Sequence, residues 1–151
     1  MHHTPYDYSK DKSSKWYYFN SQGKRIIKKA VAFSRTKLKG VYNLGFGDLL
    51  PDGEIDDMTI SNNGDISKIF ATIIDIVQDF TRVYPSAKVN FYGNTKRRTA
   101  LYNRMIRTYY QAFSECFIIT ASVKTKNEVK EVPFDPSATQ LYLGFYIKRI
   151  N

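Results

Sequence analysis

The strongest structural signal in this sequence is a series of apolar residues spaced three and four positions apart between Ile66 and Val83. This spacing places them along one face of an α-helix. The segment Asn62-Asn63-Gly64-Asp65 is typical of a helix start, and Pro85 stops the helix because proline lacks a backbone N–H. We therefore predict a long amphipathic helix from Asp65 that buries its isoleucine-rich face.

Shorter apolar and aromatic segments on both sides of this helix predict strands and a second helix. Strands are expected at residues 16–19, 26–33, 41–48, 88–92, 115–125, 129–134 and 141–149, and the second helix at residues 96–113. The order βββ-α-β-α-βββ predicts an α+β fold with a mainly antiparallel sheet and two helices. We expect residues 1–151 to form one such domain, with residues 1–14 as a frayed N-terminal segment whose Tyr6 and Tyr8 could dock on it.

Composition narrows the class of protein. A chain of 151 residues with 42% hydrophobic residues is long enough for one domain with a buried core. Cys116 is the single cysteine, so an internal disulfide framework is excluded. No apolar run approaches the roughly 20 residues of a membrane-spanning helix, and the first residues lack the apolar core of a signal peptide. We therefore predict a cytoplasmic protein with no membrane partner.

Charge is unevenly distributed along the chain. The net charge is +9, yet residues 48–79 hold eight acidic residues and one lysine, whereas residues 9–39 hold ten cations and one acid. Between Asp79 and Glu115 there are seven cations and no acid. These acidic and basic blocks could pair with each other within the fold. The alternative is a basic surface that attracts an anionic partner by long-range electrostatics.

The acid-free stretch contains a strand, a turn and a helix start in succession. The predicted strand 88–92 is followed by Gly93-Asn94-Thr95 and then by Lys96-Arg97-Arg98. A helix start has unpaired N–H groups and a partial positive charge, so cations there are unfavourable unless an anion binds. The predicted anion-binding residues are Gly93, Asn94, Thr95, Lys96, Arg97, Arg98 and Arg104, with the three arginines facing outward. The alternative is that Thr95 is only an N-cap and that the cations lie in solvent.

Other segments match the patterns of metal-binding, catalytic or base-stacking sites only in part. The loop Asp52-Gly53-Glu54-Ile55-Asp56-Asp57 lacks the glycine and the final acid of a calcium loop, and His2 and His3 lie near the first residue, so no metal site is predicted. No nucleophile–histidine arrangement suggests itself, and catalytic residues stay unknown.

Aromatic residues beside cations at residues 15–19 and 107–110 suggest base stacking, with Tyr17, Tyr18 and Tyr110 as candidates and core packing as the alternative.

Several short segments from Val41 onward are similar to segments of a known protein family. They are Tyr42-Asn43-Leu44, Phe46-Gly47-Asp48, Asp56-Asp57, Asn63-Gly64-Asp65, Lys68-Ile69-Phe70-Ala71-Thr72, Tyr84-Pro85, Phe91-Tyr92-Gly93-Asn94-Thr95 and Arg98-Thr99-Ala100-Leu101-Tyr102. On these segments the chain resembles a family of small uncharacterised bacterial single-domain proteins. The resemblance implies a fold and a site near these segments.

One further segment, Leu101-Tyr102-Asn103-Arg104-Met105, resembles the second helix of the GNAT-type acetyltransferase fold. That resemblance implies acetyl-coenzyme A as cofactor, Tyr102 in the general-acid position, and Asn63, Gly64 and Asp65 as a possible ligand loop. The loop departs from the acetyltransferase pattern, because Ser61 stands in place of a glutamine or arginine and Ile66 in place of a small residue.

These features lead to three hypotheses about function. The first is a non-catalytic binding module, without a cofactor, for an anionic partner such as nucleic acid. The second is an acetyltransferase-like enzyme that uses acetyl-coenzyme A. The third is a protein-interaction component of a toxin–antitoxin or defence gene pair, in which the basic surface binds an acidic protein.

Overall fold

A computed structural model of the protein describes residues 4–56, 62–93 and 95–150. Contacts divide the chain into two compact units. Unit 1 comprises Met1–Ser34 and Leu44–Pro85, and unit 2 comprises Arg35–Asn43 and Ser86–Asn151. Among the described residues the fold is α+β, with a mixed, mostly antiparallel pairing of strands and three helices.

Unit 1 combines a strand meander with one long helix. Its elements are β1 (Ser9–Lys10), β2 (Trp16–Gln22), β3 (Ile26–Arg35), most of β4 (Val41–Leu49), β5 (Ile55–Asp56) and α1 (Ile66–Val83). The strands follow the order β1-β2-β3-β4, and β5 pairs with the end of β4. The pairs β1–β2, β2–β3 and β4–β5 are antiparallel. The predicted strands 16–19, 26–33 and 41–48 and the predicted long helix are confirmed.

Aromatic residues on alternate positions of β2 and β3 form the core of unit 1 with α1. Tyr17, Phe19 and Phe33 are buried, as the period of two along a strand requires. The Phe33 ring stacks on Phe80 of α1 with 3.8 Å between ring centroids. Burial of such rings provides much of the stability of a small unit.

Unit 2 contains the remaining strands and two helices. Its elements are the first residues of β4, then β6 (Lys88–Tyr92), α2 (Lys96–Thr108), α3 (Tyr110–Cys116), β7 (Phe117–Lys124), β8 (Val129–Pro133) and β9 (Gly144–Arg149). The strands follow the order β4-β6-β9-β7-β8. The pair β4–β6 is parallel, and the other three pairs are antiparallel.

The helices cover one face of the unit 2 strands. Val89 and Phe91 of β6 pair with Ile147 and Phe145 of β9, and all four side chains are fully buried. The Phe91 ring meets that of Tyr102 in α2 edge-on at 5.8 Å. The intervening residues of β6 and β9 point to the opposite face, and apart from the buried Gly144 they are half-buried to exposed.

The prediction of two helices is wrong, because the expected helix 96–113 is divided at Tyr109 into α2 and α3. Thr108, Tyr109 and Tyr110 are all poor helix formers, so an interruption there costs little. The interruption still leaves Tyr109 and Phe113 buried. Helix α3 continues to Cys116, so the strand expected from residue 115 begins at Phe117. The short strands β1 and β5 were also not predicted.

The N-terminal segment expected to fray packs within unit 1 through Tyr6 and Tyr8. Tyr6 is buried, and its backbone N–H donates to the Thr72 hydroxyl at 2.9 Å. The Tyr8 hydroxyl donates to Asp75 Oδ2 at 2.9 Å. Both tyrosines therefore dock, as the sequence suggested.

Candidate functional site

The start of α2 is capped by the chain itself. Thr95 is the N-cap, and its hydroxyl accepts a hydrogen bond from the Arg98 backbone N–H at 3.1 Å. Gly93 approaches the first turn of α2 closely, because a Cβ there would lie 2.4 Å from the Thr99 nitrogen. The predicted N-cap role of Thr95 is therefore confirmed. Asn94 lies outside the described residues.

The cations at the start of α2 do not all face solvent. Lys96 and Arg97 are exposed, and neither forms an ion pair with any residue that the structure describes. Arg104 is exposed and takes part in interactions within the protein.

Arg98, which was expected to face outward, is buried with 3% of its surface exposed. Positions four, seven and eight residues later are Tyr102, Met105 and Ile106, which are also buried. This helical spacing places Arg98 on the inward stripe of α2. Arg98 interacts within the protein and contributes little to the outer surface.

A second group of exposed cations lies on the loop between β3 and β4. Arg35, Lys37 and Lys39 are exposed, and none forms an ion pair among the described residues. The loop lines a cavity of about 410 Å³ and turns at Gly40, whose φ is +79°. The sequence indicated this basic run as a break between strands but did not assign it to a site.

The two groups of cations lie at opposite ends of β6. The loop joins the start of β6, where the Lys88 N–H donates to the Gly40 carbonyl at 2.8 Å. Helix α2 follows the end of β6 through Gly93. Since β6 has five residues, roughly 15 Å separates the two ends. We refer to Arg35, Lys37 and Lys39 as the loop cluster, and to Lys96 and Arg97 as the helix cluster.

The possible ligand loop in unit 1 is occupied by internal hydrogen bonds. Asn63 is 2% exposed, and its side chain bonds to Ser21 Oγ at 2.9 Å and to the carbonyl and N–H of Arg25 at 2.7 and 3.0 Å. Gly64 has a φ of +81°. Asp65 Oδ2 accepts hydrogen bonds from the hydroxyls of Tyr6 and Ser21. These contacts join the β2–β3 hairpin to the start of α1.

Two further carboxylates of unit 1 bind tyrosine hydroxyls. Tyr17 donates to Asp79 Oδ2 at 2.6 Å, and Lys10 Nζ donates to the same oxygen at 2.8 Å. Burial, together with the hydrogen bond to Asp79, raises the pKa of Tyr17 well above its ordinary value. Burial alone would raise the pKa of Asp79, but the hydrogen bonds from Lys10 and Tyr17 hold that pKa below its usual range.

Tyr102, the residue in the acetyltransferase general-acid position, has only 4% of its surface exposed. It lies in unit 2 and contacts the Phe91 ring. Its neighbour Asn103 is also buried, and its side chain bonds to the Tyr142 backbone at 2.9 and 3.0 Å. This face of α2 therefore packs against its own unit.

Of the three aromatic residues proposed for base stacking, one is in the core and two are half-buried. Tyr17 is fully buried, so the prediction that its ring stacks on a base is wrong. Tyr18 is half-buried and stacks on Trp16 at 6.2 Å, and Tyr110 is half-buried against Phe134 at 5.4 Å.

An aromatic residue that sequence reasoning did not select, Tyr92, is 57% exposed at the end of β6. The alternation along β6 could have identified it. Val89 and Phe91 are the apolar inward positions, so Tyr92 must point to the other face.

No group of three histidine, cysteine, aspartate or glutamate side chains is arranged to hold a metal ion among the described residues. Of the acidic loop considered above, Asp57 lies outside the described residues, as do His2 and His3. In the parts of the chain that the structure describes, no helix is both long and apolar enough for a bilayer crossing.

Residues 2–150 match the model of a family that is described as a family of unknown function (DUF6934). The chain belongs to this family. The match covers nearly the whole chain, in agreement with the resemblance to a family of small uncharacterised domains. The comparisons with curated proteins and with solved structures gave no match. The resemblance to acetyltransferases therefore gains no support from them.

Proposed function

We propose that this protein binds nucleic acid through the loop cluster and the helix cluster of unit 2. The observation that supports this function is the exposure of five cations that form no ion pair among the described residues. Such cations gain most from a partner with negative charge, because phosphate contacts release condensed counterions.

The positions of the two clusters favour a polymer over a single small anion. They lie at opposite ends of β6, roughly 15 Å apart, so one phosphate group cannot reach both. A nucleic acid strand offers many phosphates along its length and can contact both clusters at once. The helix cluster also lies at the positive end of α2, where a phosphate is favoured by the exposed N–H groups and the helix dipole.

The function is tested by measuring the affinity for fluorescent single-stranded and duplex oligonucleotides at several salt concentrations. Five phosphate contacts predict that log K falls against log salt with a slope of roughly −3 to −5. Replacing Lys96 and Arg97 together with alanine should flatten the slope by about 2.

A matched control removes two exposed cations from unit 1, Lys12 and Lys28. This variant has the same net charge as the Lys96/Arg97 variant and should bind almost as tightly as the natural chain. The proposal fails if the natural chain does not bind at low salt, if its affinity is insensitive to salt, or if the control loses as much affinity as the helix-cluster variant.

The same purified protein separates the other hypotheses. A thermal shift with coenzyme A would favour the acetyltransferase alternative, because a tight ligand raises the melting temperature by mass action. A co-purifying acidic protein that is released by the Lys96/Arg97 substitutions would favour the protein-interaction alternative.

A further inference from the structure

The face of the unit 2 strands opposite the helices includes Tyr92, which is exposed and precedes the helix cluster by four residues in the chain. Outward residues along β6 are Lys88, Asn90 and Tyr92. Through the antiparallel register they lie beside Lys148, Tyr146 and Gly144 of β9, respectively. Ile118 of β7 lies beside Lys148 on the other side and is 58% exposed. An antiparallel sheet commonly has one face packed on the core and the other exposed to solvent.

Tyr92 lies over a glycine on this face. Its cross-strand neighbour is Gly144, and a Cβ on Gly144 would come within 3.4 Å of Tyr92 Cδ1 and 2.6 Å of the Phe91 carbonyl oxygen. The missing side chain lets the aromatic ring approach the backbone of β9. With 57% of its surface exposed, the ring has area available for stacking.

Polar groups beside Tyr92 are suited to the edges of bases. Asn90 Nδ2 donates to Asn43 Oδ1 at 2.9 Å. That bond uses one donor and one acceptor of the pair. The Asn90 side-chain oxygen and the Asn43 amide nitrogen have no further hydrogen bond among the described residues, so they can bind a ligand.

The charge of this face complements a phosphate backbone. Lys148 is exposed and forms no ion pair among the described residues. Lys88 binds Glu131 at 2.8 Å and lies 4.6 Å from the Tyr146 ring centroid, so its charge is partly used within the protein. The helix cluster follows Tyr92 by four and five residues along the chain.

We propose that this face binds single-stranded nucleic acid, with one base stacked on the Tyr92 ring, one phosphate at the helix cluster and another, from a nucleotide further along the strand, at Lys148. This inference rests on the proposed function and defines its ligand as an unpaired strand. A stacked base must be unpaired to reach the ring, whereas phosphate contacts alone do not distinguish a single strand from a duplex.

The experiment compares Tyr92→Ala with Ile118→Ala, a change on the same face at a position of nearly equal exposure. The probe is a fluorescent oligouridylate of about 12 nucleotides, within the length that single-strand sites cover. We expect Tyr92→Ala to weaken its binding roughly 10-fold, as for loss of one stacked base. Tyr92→Phe, which keeps the ring, and Ile118→Ala should bind like the natural chain. A duplex probe should bind Tyr92→Ala as well as it binds the natural chain.

A second measurement identifies the contact directly. Ultraviolet crosslinking to an oligouridylate containing 4-thiouridine should label the tryptic peptide of residues 89–96, where Tyr92 is the exposed aromatic residue. Crosslinks confined to other peptides would overturn the stacking position.

The outcomes separate this inference from the proposed function. If the Lys96/Arg97 variant binds weakly but Tyr92→Ala binds like the natural chain, the stacking site is wrong and nucleic acid binding stands. The stacking site is also wrong if Ile118→Ala loses as much affinity as Tyr92→Ala. If the natural chain binds neither probe, both proposals fail.

Discussion

Helix α1 of unit 1 and helix α2 of unit 2 both begin shortly after a glycine, but their first residues use charge in opposite ways. At the start of α1, the Asp65 carboxylate accepts hydrogen bonds from Tyr6 and Ser21. At the start of α2, the neutral hydroxyl of Thr95 caps the helix, and Lys96 and Arg97 remain exposed. The acid at the start of α1 bonds within its own unit, whereas Lys96 and Arg97 of α2 form no ion pair among the residues that the structure describes.

The largest effect is expected from Asp65→Ala. The change removes the side chain that accepts hydrogen bonds from two hydroxyl groups and should lower the free energy of unfolding by about 3 kcal/mol. Urea unfolding followed by the fluorescence of Trp16, the single tryptophan, reports on this unit directly. Asp7→Ala, at an exposed position, is the control and should change stability by less than about 0.5 kcal/mol. Equal losses in both variants would refute the structural role of Asp65.

A cation of α2 that is used within unit 2 should behave differently from the helix cluster. Arg107 donates to the carbonyls of Ala138 at 2.6 Å and Gln140 at 2.8 Å, and its guanidinium lies 5.5 Å from the Phe134 and Tyr142 ring centroids. Arg107→Ala should cost about 2 kcal/mol of unfolding free energy. Arg107→Lys keeps the charge but loses the planar fork, so it should recover only part of that loss. Full recovery would show that charge alone matters.

Loss of the α2 cap should have an intermediate effect. Thr95→Ala removes the acceptor for the Arg98 N–H and should lower stability by about 1 kcal/mol. Thr95→Ser retains the hydroxyl and serves as the control. Thermal unfolding followed by circular dichroism measures both variants. A loss in Thr95→Ser equal to that in Thr95→Ala would be inconsistent with a capping role.

Low pH should reduce the stability of unit 1 through Asp79, whose folded-state pKa is held below its ordinary value. A depressed pKa stabilises the fold above the unfolded-state pKa of about 3.9, and this contribution is lost as the pH falls through the folded pKa. The effect should stay under about 1 kcal/mol because the partner Lys10 is exposed. Trp16 fluorescence in urea at neutral and acidic pH, for the natural chain and Asp79→Asn, measures it. An unchanged pH dependence in Asp79→Asn would contradict the assignment.

The smallest effect, and the one of opposite sign, concerns the helix cluster. Replacing Lys96 and Arg97 with alanine removes positive charge from the positive end of α2 and should raise stability by about 0.3–1 kcal/mol. The Lys12/Lys28 control should leave stability unchanged. A loss of stability in the helix-cluster variant would mean that these cations support the fold and would remove the contrast between the two helix starts.

Regular periodicity explains how much of the fold could be predicted. The spacing of apolar residues in α1 and the alternation in β6 correspond closely to the observed Ile66–Val83 and Lys88–Tyr92. The division of the second helix could not be predicted, since no glycine or proline marks Tyr109. The packing of Tyr109 and Phe113 decides that break, and packing is a property of the folded unit.

The candidate site was predicted only in part. A run of cations in the sequence does not by itself show which of their side chains face outward. Arg97 and Arg98 are adjacent in sequence, yet one is exposed and the other is buried. Extending the buried stripe back from Ile106 through Tyr102 would have selected Arg98 as the inward residue. The register that places Tyr92 over Gly144 joins strands more than 50 residues apart and cannot be obtained from local patterns.

Each unit is built from two separate segments of the chain, and this affects the order in which the units can fold during synthesis. All residues of unit 1 have left the ribosome once Pro85 has emerged, whereas unit 2 draws on Arg35–Asn43 and then on everything after Ser86. The first residues of β4 can meet β3 early, but their other edge has no strand neighbour until β6 has been translated and can form the parallel pair Val41–Lys88. If translation paused after Pro85 and before β6, the nascent chain would have unit 1 complete. The edge of β4 that later pairs with β6 would still be exposed, next to the loop cluster.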